Sequence, residues 1–93
     1  MSGIKKIEQE RNRQINEEGF DSIHDNQYKH NELESAAFEY LRHTIYGTGK
    51  GHTWPWPDSW WKPSDNKIRN LEKAGALIAA SIDRIERQKQ DNK

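Results

Sequence analysis

Ninety-three residues and 11.0 kDa leave room for a single domain, here taken as residues 1–93. Fifteen Lys and Arg balance fifteen Asp and Glu, and this zero net charge argues against a binder of duplex nucleic acid. The absence of Cys excludes a disulfide-stapled scaffold and a thiolate zinc site, no apolar run approaches the ~20 residues of a membrane span, and no signal-peptide core follows Met1, so the expected location is the cytoplasm.

Hydrophobic residues make up 31% of the chain, with thirteen Ile and Leu and no Val. A chain of this size buries only roughly 60–65% of its unfolded surface, so its core is thin. Without metal or disulfides, oligomerisation is the usual support, and a homo-oligomer is expected.

The first predicted helix covers about residues 3–18, with Ser2 as N-cap, Gly19 as stop, and a narrow stripe of Ile4, Ile7, Arg11 and Ile15. Residues 20–30 read as a connector in which Asp21 or Ser22 caps one short helical turn, pinned to the core by Phe20 and Ile23. The second long helix covers about 31–46, with Asn31 as N-cap, Gly47 as stop, and Leu33, Ala36, Ala37, Tyr40, Leu41, Thr44 and Ile45 on its buried face. Three Gly and three Pro make residues 47–63 an irregular loop, and all four Trp fall inside it. Ser64 is then expected to cap a final helix over about 65–90, with Ile68, Leu71, Gly75, Ile78, Ile82 and Ile85 at alternating 3–4 spacing. Residues 74–80 are apolar nearly all round and read as the centre of the core or of a subunit interface, and the polar tail from Arg84 is expected to fray. No strand pattern survives, so the fold class is all-α: about three helices and an irregular Trp/Pro/Gly-rich loop.

The Trp-rich loop is the outlier. Its indoles either fill a core short of aliphatics, which is the commoner use, or wall a pocket in which a planar ligand stacks. Trp60 and Trp61 are neighbours and face different ways. The run from Gly47 to Thr53 has the composition of a phosphate loop but lacks Walker order and context, and it reads first as a flexible hinge. Arg11, Arg13, Lys62, Arg69 and Lys73 are the cations placed to meet a small anion; the plainer reading pairs Arg69 or Lys73 with Asp65 or Glu72.

His24-Asp25, with His30, invites a catalytic or metal reading, but no third ligand stands at helical spacing and a capping role is favoured. Small helical pyrophosphohydrolases hold Mg²⁺ with Glu-x-x-Glu and Glu-x-x-Asp pairs. This chain has no Glu-x-x-Glu, and its Glu18-x-x-Asp21 and Asp83-x-x-Glu86 pairs lie at helix ends. No nucleophile stands in a catalytic context, so neither enzyme activity nor a cofactor or metal is expected.

Several blocks carry a resemblance: Glu10-Arg11-Asn12-Arg13-Gln14, Glu18-Gly19, His24-Asp25, Glu32-Leu33 with Ala36-Ala37 and Tyr40, Trp54-Pro55-Trp56, Trp60-Trp61-Lys62-Pro63, and Lys73-Ala74-Gly75-Ala76-Leu77-Ile78. Over about residues 8–86 the chain resembles a family of small, largely uncharacterised bacteriophage and prophage proteins. Asn26 stands where that family usually carries a second acid, which weakens a metal reading further. The resemblance implies a bacterial host cytoplasm. By analogy of parts rather than by a shared motif, it implies a phage sponge that sequesters a nucleotide-type signal of bacterial immunity, a cyclic oligonucleotide or an ADP-ribose derivative. In that reading Trp54, Trp56, Trp60 or Trp61 stacks on the base, while Arg11, Arg13, Lys62, Arg69 and Lys73 hold phosphate. His24, Asp25 and Tyr28 read the base edge or ribose. The alternatives are a protein-interaction inhibitor of a host enzyme, with the Trp loop as its hot spot, and a degenerate pyrophosphohydrolase relative.

Overall fold

The computed structural model describes residues 1–28 and 31–91, and every regular element among them is helical. Ser2 accepts a hydrogen bond from Lys5 N at 3.2 Å and opens α1 (Gly3–Glu18), which Gly19 closes in the left-handed conformation that glycine adopts without strain. Asp21 accepts from His24 N at 2.9 Å and caps α2 (Ser22–Asp25). Gly47, at φ 70°, closes α3 (Glu32–Tyr46). A single 3-10 turn, Asp58–Trp60, interrupts the loop, and α4 (Lys67–Asp91) completes the chain. α4 is the spine, with α3 and α1 packed along it and α2 against it. Glu34 of α3 accepts from Ser81 and Lys73 lies over the Tyr40 ring, so α3 runs antiparallel to α4. None of the described helices is long and apolar enough to cross a membrane.

Several expectations need correction. Asn31 precedes α3, but it sits at φ 67° and its side chain makes no capping bond. The Ser64 cap is displaced: Ser64 Oγ accepts from Asn66 N, Asn66 Oδ1 accepts from Ile68 N, and the helix starts at Lys67. Buried Asn70 fixes this entry by exchanging two 2.7 Å bonds with the Ser64 backbone. The tail does not fray at Arg84, which is buried, and α4 continues to Asp91. His30 and the side chain of Ile23 lie outside the described residues.

The core is unusually poor in aliphatics. Tyr28, Leu33, Ala36, Ala37, Tyr40, Trp54, Ala74, Leu77 and Ala80 form it, with Leu41, Trp56 and Trp61 packed at its edge. No described isoleucine is buried. On α1 the apolar stripe is only partly inward: Ile4 is 82% exposed, Ile7, Arg11 and Ile15 are partly buried, and Glu10 and Gln14 beside them are the fully buried residues. A buried carboxylate is tolerated there because cations surround it, as the site geometry below shows. On α4 the inward residues are Ala74, Ala76, Leu77 and Ala80, whereas Ile78 is half exposed, so residues 74–80 are not buried all round.

The Gly-rich run is a clamped segment rather than a hinge. Glu39 of α3 is buried, and its carboxylate accepts from Gly51 N at 2.7 Å, from Arg42 Nε at 3.1 Å and from the Thr53 hydroxyl. Arg42 reaches on to Thr48 Oγ1 at 2.9 Å and to the Gly49 carbonyl at 2.6 Å, and His43 bonds the Thr48 carbonyl. A β-carbon on Gly51 would lie 2.9 Å from Glu39 Oε2, so any larger residue there requires the carboxylate to shift. The amide expected to greet an external anion therefore serves an internal carboxylate.

Burial works against ionising Glu39, yet the bonds from Thr53, Gly51 and Arg42 outweigh it and hold the carboxyl below its ordinary 4.5. Glu10 is lowered likewise, burial being overcome by Arg13 and Arg69. Both contributions are complete above pH 4.5 and are lost as the pH falls through the lowered folded-state values. Urea unfolding followed by Trp fluorescence is expected to show stability declining from about pH 4.5 downward, a slope that Glu39→Gln blunts. At pH 7, Glu39→Ala is expected to cost roughly 2–4 kcal/mol, since it strands Arg42 and the Gly51 amide.

Candidate functional site

With the loop anchored on α3, its indoles are arranged by their neighbours. Trp54 is nearly sealed and donates its Nε1–H to the Pro57 carbonyl at 3.2 Å. It meets Tyr40, Trp56 and Trp61 edge-on, with centroids 5.8, 5.4 and 5.0 Å away. Trp61 lies behind it, 4.7 Å from Tyr40 and edge-on to His43. Trp56 contacts Phe20, Tyr28 and Trp60. Trp60 is 42% exposed, which agrees with the expectation that it and Trp61 face different ways. Such aromatic pairs contribute about 0.5–1.5 kcal/mol each beyond area burial, enough to hold a short loop in one arrangement.

A cleft of about 300 Å³ opens between this aromatic wall and α1. One side is Phe20, Tyr40, Trp54, Trp56 and Trp60; the other is Glu10, Arg13, Gln14 and Glu18; Lys62, Lys73 and Leu77 close it. Six of the residues singled out in the sequence therefore meet here: Arg13, Trp54, Trp56, Trp60, Lys62 and Lys73.

The other six do not line the cleft. Arg11 donates to the Phe20 carbonyl at 2.8 Å and to buried Asp25 at 3.3 Å, and lies 3.8 Å from Asp83, tying α1, α2 and α4 together. His24 stacks on Phe20 at 4.8 Å, its Nδ1 lies 3.1 Å from Asp25 and its Nε2 3.1 Å from the Tyr28 hydroxyl. With Nδ1–H given to the carboxylate, Nε2 accepts from Tyr28. Burial, then Asp25 and Glu32, push Tyr28 up to about 12, so it stays a neutral donor at physiological pH. This Arg11–Asp25–His24–Tyr28 chain is a clamp behind Phe20. Trp61 is backing for Trp54. Arg69 is held by Glu10 at 2.7 Å and by Glu72 at 3.2 Å, the latter being a pairing anticipated from the sequence.

The charges in the cleft sort by what neutralises them. Glu10 accepts from Arg13 twice at 2.8 Å, and from Gln14 at 3.2 Å, besides its Arg69 contact. Arg13 also reaches Glu17 and Glu18, both at 3.4 Å, and Glu10 chiefly holds its guanidinium well above the ordinary range. Both guanidiniums are thus matched by carboxylates. Lys73 and Lys62 have no carboxylate within 4 Å among the described residues; Lys73 donates to the Lys62 carbonyl instead. Burial, then the neighbouring Arg69, lower Lys73 below its ordinary 10.5.

Two polar atoms of cleft-lining residues are buried without a partner, Gln14 Oε1 and Trp56 Nε1. Gln14 gives its amide N–H to Glu10, which fixes the amide so that the oxygen points elsewhere. Glu10, Gln14, Glu18, Phe20 and Tyr40 were not singled out as site residues. Glu10, Arg13 and Gln14 stand at i, i+3 and i+4, so their shared helical face was a usable signal. No three His, Asp or Glu side chains gather closely enough to hold a metal ion among the described residues.

Acrylamide quenching is expected to reach one indole readily, and Trp60→Phe should remove that quenchable fraction while Trp61→Phe leaves it. Equal quenching of all four would contradict the arrangement. No known protein family, curated protein or solved structure matches this chain.

Proposed function

We propose that the protein is a non-enzymatic, phage-encoded binding protein that sequesters a nucleotide-type immune signal, a cyclic oligonucleotide or an ADP-ribose derivative, as a homo-oligomer in the bacterial cytoplasm. The observation that carries this reading is the cleft itself. Indole faces stand beside two lysines that have no carboxylate within 4 Å among the described residues, although Glu10 and Glu18 share the lining. Stacking a base on an aromatic ring is worth ~1–3 kcal/mol, and an exposed face such as that of Trp60 is available for it. Lys73 and Lys62 would take phosphate, and the anion would relieve the half-buried ammonium of Lys73. Gln14 Oε1 and Trp56 Nε1 are buried beside the cleft and would meet base or ribose groups only if their side chains turn toward the ligand. The counter-defence context comes from the resemblance read in the sequence blocks alone.

Size narrows the ligand. Ligand pockets run from ~300 to ~1,000 Å³, and this cleft, at about 300 Å³, is at the small end. It fits one nucleotide unit, so a cyclic di- or trinucleotide would extend past the rim.

Isothermal titration with cyclic dinucleotides, cyclic trinucleotides and cyclic ADP-ribose isomers tests the reading. At least one is expected to bind, and Lys73→Met or Lys62→Ala to weaken it tenfold or more, while Arg69→Ala acts through stability by freeing Glu10. Affinity is expected to be full while Lys73 is protonated and to fall as the pH rises through its lowered value, below 10.5; Lys73→Met should flatten that profile. No heat with any ligand class would overturn the proposal.

A further inference from the structure

The apolar residues of α4 fall into two sets. Ala74, Ala76, Leu77 and Ala80 face α1 and α3. Ile68, Leu71, Ile78, Ile82 and Ile85 lie on the opposite side, each between 40% and 55% exposed. With Gly75 they follow a strict 3-4-3-4-3 spacing, two positions in seven, which is the pattern of a helix seam that meets one other helix rather than the broader face of a helix lying on a globular core. Ile7 of α1 leans over Gly75, where a β-carbon would lie 2.6 Å from its Cδ1, and so fills the bare position in the stripe.

We propose that α4 pairs with α4 of a second copy of this chain, antiparallel, about a two-fold axis near residues 76–77.

The seam is self-complementary in that arrangement. Its spacing reads the same in both directions, so Ile68 meets Ile85 of the other copy, Leu71 meets Ile82, and Gly75 with its covering Ile7 meets Ile78. Every layer then repeats by symmetry, as a two-fold interface requires. Parallel pairing would set Gly75 against Gly75 in the middle of the seam. The edge of α3 adds to the surface: Glu34, Phe38, Leu41 and Ile45 share one side of that helix, Glu34 is bonded to Ser81 of α4, and Phe38 and Ile45 are exposed. From Ile68 to Ile85 the seam runs about 26 Å, and two helices side by side span about 20 Å. As a flat footprint that is about 520 Å², roughly two thirds of the ~800 Å² per partner found in stable complexes, before the relief of the side chains is counted. The chain has no other described helix to cover it, since α1 and α3 already occupy the remaining faces of α4. A dimer would also bury the isoleucines that the single chain leaves wet.

This inference rests on the homo-oligomer in the reading above and not on its ligand. Sedimentation of the wild type at about 50 µM is expected to give an even multiple of 11.0 kDa. Ile78→Asp with Ile82→Asp is expected to give the single-chain mass with the helical circular dichroism retained, because both side chains are half exposed in one protomer. The native chain has no Cys, so introduced thiols report cleanly on orientation. Oxidising a mixture of Ile68→Cys chains and Ile85→Cys chains is expected to yield the mixed disulfide, and Ile68→Cys alone to yield none. A monomeric wild type would overturn both the homo-oligomer and this pairing. An oligomer that survives the two Asp substitutions, or one in which Ile68→Cys links to itself, would overturn the pairing alone. Should the Asp variant unfold, the thiol pair decides.

Discussion

One buried carboxylate organises the functional half of this molecule. Glu39 reaches out of α3 into the Gly-rich strand of the loop and collects Gly51, Thr53 and Arg42. That anchor fixes the Gly-rich start of the loop, and the aromatic contacts among Trp54, Trp56, Trp60, Trp61 and Tyr40 hold the rest. With both in place, Trp54 is driven into the core against Tyr40, Trp61 is set behind, and Trp56 and Trp60 are left at the opening. The composition that looked like a phosphate loop is thus satisfied from within, and the cations without a carboxylate partner within 4 Å lie one layer outward, at the cleft.

A second carboxylate decides which cations are available there. Glu10 takes both Arg13 and Arg69, leaving Lys62 and Lys73 without an ionic partner. A charge already matched at under 3 Å offers little to an incoming phosphate, whereas an ammonium whose charge is disfavoured by burial gains from one. The same residues thus divide between holding α1 to α4 and facing the cleft, and that division, not the number of basic residues, sets the electrostatics of the site.

Much of the helical framework was legible because short-range chemistry determines it. Ser2, Gly19 and Gly47 act locally, and their roles need no knowledge of the rest of the fold. The start of α4 was misread because Ser64 and Asn66 are both good capping residues, and only the tertiary bonds of Asn70 select between them. The buried face of α1 was misread for a different reason. Periodicity finds apolar residues, while Glu10 is buried by charge pairing with Arg69, which lies far away in sequence, and Gln14 is buried on its bond to Glu10. The cleft was half visible. Its aromatics and lysines stand out by type, but Arg11 and Arg13 stand two residues, about 200°, apart around α1 and only Arg13 lines it, and His24, Asp25 and Tyr28 form a clamp behind Phe20.

The central claim is that this cleft captures a nucleotide. Native mass spectrometry of the protein recovered from phage-infected bacteria with an active nucleotide-signalling defence addresses it most directly. The account predicts a mass above the bare chain or its multiples, an adduct that fragments to a nucleotide and is lost with Lys73→Met. Wild-type protein emerging bare from such cells, or an adduct indifferent to Lys73, would contradict it.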